Sequence, residues 1–343
     1  MRSILVTGGA GFIGSHFVEH ILTAHPDYRV VVLDKLTYAG KRSNLWNAEA
    51  LAGDRLTFVQ GDVGDIETDC QLLQACDLVV HFASESHVVN STKDPLLFAR
   101  NNMNGTALLL EAARLQRVKR FLLISTVEVY GSCHRQVAAS REDDLPRPST
   151  PYAAAKVAAE SWGMAYWESF GFPVVITRSC NNYGPRQHEE KQLPDLMSMA
   201  LRDEPLRVQG DGKHLRQWLY VTDHCRALDA LLHADERQVA GEIFNIGGGA
   251  AAERTTIQNA QAILERLNKH PAIIHGPDRV PSLRRLALDS SKLEQRLGWR
   301  PQVRFEEGLD RTLAFYKREH QMREQQPAYH ATDDRSRLVT QAS

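Results

Sequence analysis

Apolar residues in this chain come in short runs separated by polar turns, with longer amphipathic stretches between them. The runs at 2–7, 30–33, 56–59, 78–82, 121–124 and 174–177 are rich in Val, Ile, Leu and Phe. Continuous runs of that length read as strands buried on both faces. The stretches at 15–24 and 101–114 carry helical spacing, the second with Asn102 on its buried side. Pro146, Pro148 and Pro151 then break the chain ahead of an alanine-rich helix that holds Tyr152 and Lys156. Strands alternating with helices predict a parallel, doubly wound sheet with right-handed crossovers. Beyond 178 the pattern changes to a long polar loop at 178–187 and short strands at 206–209, 217–221 and 241–246. Helices are predicted at 193–201, 255–267 and 290–297, the last ending at Gly298.

The turn after the first strand reads Gly8-Gly9-Ala10-Gly11-Phe12-Ile13-Gly14, and the second strand ends in Asp34. Strand, glycine turn, helix, strand and terminal acid form the setting of a dinucleotide fingerprint. The glycines let backbone approach a pyrophosphate, and the helix N-terminus faces its charge. Asp34 is placed to hold the adenosine ribose hydroxyls and would repel a 2′-phosphate, so the expected cofactor is NAD; the adjacent Lys35 weakens that preference only slightly. Asp62 reads either as a contact to the adenine edge or as a helix cap. The fold class is therefore α/β, a Rossmann-type doubly wound parallel sheet with a smaller mixed α/β lobe. The expected division is a cofactor domain at 1–178, an interleaved second lobe at 179–320 and a frayed polar tail at 321–343.

Ligands of an open α/β sheet bind at the carboxyl ends of its strands. Two stretches are predicted there: Ala83 to His87 after the fourth strand, and Ser125-Thr126-Val127-Glu128-Val129-Tyr130-Gly131 after the fifth. Tyr152 and Lys156 are four apart and share a helix face. An ammonium beside a phenol favours the phenolate, so Lys156 is expected to lower the pKa of Tyr152. Such a tyrosine takes a proton from a hydroxyl while a hydride leaves the same carbon. Tyr-x-x-x-Lys alone is a weak signal that surface helices also produce.

The chain has 343 residues with a net charge of -1, which excludes recruitment of nucleic acid or an anionic membrane by a global field. No apolar run approaches the roughly 20 residues that span a bilayer, and no secretory leader is read at the N-terminus. Cys70, Cys76, Cys133, Cys180 and Cys225 follow no framework, which fits a reducing, cytoplasmic setting. Among the 14 histidines, His134, His188, His214 and His224 lack ligand spacing and read as surface residues, and no metal is expected. Met197 and Met199 read as core. Arg178, Arg186, Arg207, Arg216 and Arg284 are available as phosphate clamps.

These residues together resemble an extended short-chain dehydrogenase/reductase acting on a nucleotide sugar, most closely a dTDP-glucose 4,6-dehydratase. The resemblance runs through 7–14, 34–40, 85–88, 102–106, 152–156, 181–187, Glu190-Lys191, 216–224 and 287–292. It implies that Tyr152 deprotonates the sugar 4-hydroxyl, Lys156 tunes Tyr152 and holds the nicotinamide ribose, and Thr126 bonds the 4-oxygen. Glu128 would remove the C5 proton before the 6-hydroxyl leaves as water and a hydride returns to C6. Gly8, Gly11, Phe12, Ile13, Gly14, Asp34, Lys35, Thr37, Asp62, Val63 and Ala83 would contact NAD. Ser86, His87, Asn102, Asn181, Asn182, Lys191, Arg207, Arg216 and Arg284 would contact the nucleotide sugar, and two copies would pair through the helices at 101–114 and 151–170. Two departures stand out. Val127 replaces the Asp that protonates the leaving hydroxyl, and Val280-Pro281-Ser282-Leu283-Arg284-Arg285-Leu286 replaces a Pro-Gly-His-Asp-Arg-Arg-Tyr segment. A decarboxylase of the UDP-glucuronate type, a 4-epimerase or a 5,6-dehydratase shares the first step, and a non-catalytic NAD-binding regulator shares the fold.

Overall fold

The computed structural model describes residues 2–132, 138–278 and 283–325. Its centre is a seven-stranded, all-parallel sheet. The strands are β1 (Arg2–Thr7), β2 (Tyr28–Asp34), β3 (Leu56–Gln60), β4 (Leu78–His81), β5 (Arg120–Thr126), β6 (Val174–Ser179) and, from far along the chain, Glu242–Ile246. Their spatial order is 3-2-1-4-5-6 followed by the 242–246 strand, the reversal at β1/β4 being the switch point of a doubly wound sheet. Helix α1 (Phe12–Ala24) packs on one face; α2 (Gly105–Leu115) and α3 (Pro151–Phe170) cover the other.

Local chemistry sets the ends of these helices. Thr150 caps α3 by accepting from the Ala153 N–H at 3.1 Å, Pro151 occupies its first turn, and Gly171 ends it in the left-handed region at φ +61. The 101–114 stretch, expected as one helix, opens with a π-wound turn over Ala99–Asn104 before α2 begins. That wider turn carries Asn102 inward, where it is buried.

The smaller lobe is built from β7 (Asn181–Tyr183), β8 (Leu206–Gln209), β9 (Leu215–Tyr220), a short strand at Glu253–Thr255, one at Ile273–Gly276 and another at Arg285–Leu286, with helices between. β7 lies inside the stretch expected to be loop. Its backbone finds partners in β9, with Asn181 opposite Trp218 and Tyr183 opposite Tyr220. Between the lobes the chain returns once to the large sheet, supplying α4 (Val221–His233) and then the 242–246 strand, which pairs with β6. The final helix, Phe305–Gln325, runs five residues into the stretch expected to fray. Arg323 reaches Glu189 at 2.6 Å and His320 reaches Glu324 at 3.4 Å, which extends its last turn. Residues 326–343 lie outside the described residues, as do Cys133, His134, Val280, Pro281 and Ser282.

Three apolar clusters hold the molecule together: one on each face of the large sheet, and a third inside the small lobe around Tyr183, Trp218 and Phe305. Met197 and Met199 belong to the third. His224 departs from its surface reading: it is fully buried on α4, and neither ring nitrogen has a hydrogen-bond partner. The four described cysteines are unpaired thiols, three of them buried. No helix among the described residues is long and apolar enough to cross a membrane.

Candidate active site

One cavity of about 430 Å³ opens along the carboxyl edge of the large sheet. Residues at or just past the strand ends line it: Gly8 after β1, Asp34 on β2, Gly61 after β3, Phe82 after β4, Thr126 on β5 and Ser179 on β6. Its opposite wall comes from the small lobe, through Gln209, His214, Arg216 and Trp218.

The glycine turn is fixed by lack of room. Gly8 has φ +69, and a Cβ there would stand 2.6 Å from the Ala83 amide nitrogen; one on Gly14 would stand 2.3 Å from the Gly8 carbonyl oxygen. The Asp34 carboxylate ties β2 to this turn, accepting from the Ala10 N–H at 2.9 Å and the Leu36 N–H at 2.8 Å. Burial raises its pKa, and the two backbone donors oppose the rise. Each oxygen keeps a lone pair for a further donor, so the residue suits a ribose diol and opposes a phosphate. Gly11, Phe12, Ile13, Lys35, Thr37, Asp62, Val63 and Ala83 line the same end. Asp62 takes Lys35 Nζ at 2.5 Å, while Asp65 caps the helix that follows.

At the other end Thr126, Glu128, Tyr152 and Lys156 all line the cavity. Thr126 is the last residue of β5, and its hydroxyl accepts from the Glu128 N–H at 3.3 Å as the chain turns. Lys156 is buried and donates to the Ile124 carbonyl at 2.5 Å. Burial lowers its pKa to about 8, against the pull of Glu160 one turn along α3. Tyr152 corrects the sequence expectation. Its pKa lies above the ordinary phenol value, first through burial and then through the Glu128 charge, with only the Thr126 hydrogen bond working the other way. The lysine's expected influence is outweighed because its ammonium points to a backbone carbonyl, while a carboxylate faces the phenol.

Of the residues expected to meet a substrate, Ser86, His87, Asn181, Asn182, Lys191 and Arg216 line the cavity. Lys191 Nζ donates to the Ser86 carbonyl at 2.9 Å, bridging the lobes. Asn102 is instead buried behind the wall. Its side chain accepts from the Glu85 N–H at 2.8 Å and donates to the Glu85 carbonyl at 2.9 Å, so it sets the loop that carries Ser86 and His87. Arg207 is exposed on β8, and Arg284 pairs with Asp211 at 3.0 Å; neither lines the cavity. Arg178 and Arg186 are likewise absent from its lining, Arg178 being buried against Glu160 at 2.7 Å and Arg186 bound to Glu19 at 2.8 Å. Glu85 and Glu190 line the site without having been selected from the sequence, Tyr38 donates to Glu190 at 3.1 Å, and His214, read as a surface residue, is instead buried in the cavity wall. For Glu190 the signal was its adjacency to Lys191; for His214 it was its place just ahead of β9, two residues before Arg216.

Several buried polar atoms on the lining have no protein hydrogen-bond partner: Ser125 Oγ, Asn182 Oδ1, Gln187 Oε1 and Trp218 Nε1. Buried polar atoms are almost always satisfied, so this cluster suits a polar ligand. Val127 contributes nothing to the wall. Its side chain is 2% exposed and sits in the apolar cluster with Val129 and Tyr130.

Comparison with known proteins adds independent findings. The family model described as GDP-mannose 4,6 dehydratase matches residues 5–312. The chain is 42% identical over 314 residues to the low-salt glycan biosynthesis protein Agl12 of Haloferax volcanii, covering 91% of this chain and 98% of that one. It is 42% identical over 320 residues to a dTDP-glucose 4,6-dehydratase of an Actinoplanes species, covering 92% and 97%. Among solved structures it superimposes on DesIV, a dTDP-glucose 4,6-dehydratase from Streptomyces venezuelae crystallised with NAD, with a TM-score of 0.87, 41% identity and coverage of 92% and 97%.

Proposed function

We infer the chemistry from one premise: this chain belongs to the GDP-mannose 4,6-dehydratase family. It is an NAD-dependent nucleotide-sugar dehydratase of the extended short-chain dehydrogenase/reductase superfamily. The observation that carries the reading is the convergence of Thr126, Glu128, Tyr152 and Lys156 on the cavity that also holds the glycine turn and Asp34.

When bound, NAD supplies the acceptor for the hydride that leaves C4 and the source of the one that returns to C6. Gly8, Gly11, Gly14 and Asp34 would hold its adenosine half, and Lys156 its nicotinamide ribose. Tyr152 takes the proton of the sugar 4-hydroxyl, with Thr126 bonded to the same oxygen. Burial and the Glu128 charge raise its pKa, so the phenolate is scarcer but a stronger base. Glu128 acts in the next step. It removes the C5 proton, made acidic by the new C4 ketone, and the C5–C6 double bond forms as the 6-hydroxyl departs. With Val127 in the core, we assign the protonation of that hydroxyl to Glu128 as well, which passes on the proton taken from C5; the proton that Tyr152 took from the 4-hydroxyl is then the one left to restore C5 when the hydride returns to C6.

The substrate we propose is a nucleoside diphosphate hexose with free 4- and 6-hydroxyls, dTDP-glucose first among them, its diphosphate held by Asn182, Lys191 and Arg216. We place the reaction in the cytoplasm, where thiols such as Cys76 and Cys180 stay reduced. The working form is a homodimer, supported by large apolar side chains exposed on α2 and α3.

The test is product mass after incubation with NAD and, separately, dTDP-glucose, UDP-glucose, GDP-mannose, UDP-N-acetylglucosamine and UDP-glucuronate. One of the hexoses loses about 18 mass units, one water, and Glu128→Gln slows that loss by roughly 10²–10⁴-fold while NAD still binds. Release of carbon dioxide from UDP-glucuronate, or no mass change with any sugar, sinks the proposal.

A further inference from the structure

Away from the cavity, three imidazoles converge on one carboxylate where α1 meets α4. His20 lies on α1, His25 caps its C-terminus, and Asp229 and His233 stand one turn apart on α4. His20 Nε2 is 2.8 Å from Asp229 Oδ2. His25 Nε2 and His233 Nδ1 are 2.9 and 2.7 Å from Oδ1. The rings of His25 and His233 stack with centroids 4.5 Å apart, and the donor atoms of His25, Asp229 and His233 all lie within 4.8 Å of one another. All four side chains are only partly buried, so an ion can reach them.

We propose that these residues form a binding site for a divalent transition metal of the zinc type. His25 Nε2, His233 Nδ1 and one Asp229 oxygen make a donor set that such ions favour, with solvent as the fourth ligand and His20 holding the other carboxylate oxygen. In a tetrahedral zinc site the ligand atoms stand about 3.3 Å apart, as follows from bonds of about 2.0 Å. The His25 and His233 distances to Asp229 need to open by only about half an ångström, and the three donor atoms already lie within 4.8 Å of one another. An ion would take the place of the protons now shared between the imidazoles and Asp229. An outer partner is also in place. Tyr28 Oη lies 2.6 Å from His233 Nε2, positioned to accept the N–H of a ring that ligates through Nδ1. His233 Nδ1 presently also lies 2.9 Å from the Asp229 carbonyl, a hydrogen bond that metal binding would replace. The four residues come from two helices, so the ion would pin α1, whose N-terminus adjoins the glycine turn, to α4. None of them lines the cavity, so the site is separate from the reaction.

The experiment uses the full chain, stripped with chelator and titrated with zinc by calorimetry, with cobalt absorption as a second readout. One equivalent of zinc binds, the melting temperature rises, and cobalt shows the intense bands of tetrahedral coordination. In His25→Ala/His233→Ala, zinc affinity falls at least tenfold while the rate of sugar turnover is unchanged. If that variant does not fold, His25→Gln alone gives the same readout. No zinc uptake by the parent chain, or equal uptake by the variant, overturns the proposal and leaves a hydrogen-bonded clamp.

Discussion

The charge of Glu128 raises the pKa of Tyr152, and that influence is the least legible part of the site from sequence. The spacing of Tyr152 and Lys156 puts both on one helix face in any α-helix. The direction of the phenol's shift depends on a carboxylate from β5 and on burial, which no local pattern reveals. The same holds for His224, which is fully buried with neither ring nitrogen hydrogen-bonded. Burial lowers its pKa to about 3, against 6.5 in an unfolded chain. Between those values the unfolded chain binds a proton that the folded one does not. Stability is therefore fully present above pH 6.5 and declines as pH falls toward 3. His224→Leu removes both this dependence and two unsatisfied nitrogens, whose cost is about 1–3 kcal/mol. The variant should melt higher at pH 7.5, and the margin over the parent should widen at pH 5; a margin that stays constant or shrinks would count against the argument.

Elements were readable where their own side chains decide them. The glycine turn, β1 and the proline break ahead of α3 follow from residues within a few positions, and β8 forms over the residues expected. β7 and the π-wound turn at Ala99–Asn104 were not readable, because β9 and the Glu85 loop draw those segments into shape. Helix α3 carries a further long-range device. Glu160, one turn beyond Lys156, holds Arg178 of β6 through 2.7 and 3.1 Å hydrogen bonds, and the guanidinium also lies over the Tyr130 ring at 4.6 Å. Both charges are buried. Breaking such a pair from one side costs about 3–5 kcal/mol, since the partner is left as an uncompensated charge. Glu160→Gln should lower the melting temperature by several degrees, whereas a shift below one degree would mean that the pair contributes little.

At the scale of the molecule, the doubly wound sheet was legible and the destination of each arginine was not. Arg216 reaches the cavity because β9 forms its wall; Arg207 sits on β8 with its side chain in solvent, and Arg178 is consumed by Glu160. The outer surface of the adjoining helices α2 and α3 leaves Leu108, Trp162 and Phe170 40%, 44% and 57% exposed. Apolar side chains clustered in this way mark an association surface. Leu108→Glu/Trp162→Glu should run as a monomer by light scattering where the parent runs as a dimer; a parent that is already monomeric refutes the pairing.

The strand at 242–246 covers β6 and becomes the outermost strand on that side of the large sheet, and that has a consequence for the order in which the molecule is made. During synthesis, β6 leaves the ribosome more than sixty residues ahead of its last neighbour. Throughout that interval the nascent cofactor lobe presents an open strand edge, the kind of surface to which other chains add. The connection that joins the two lobes thus also delays the covering of β6, which is complete only when Ile246 emerges.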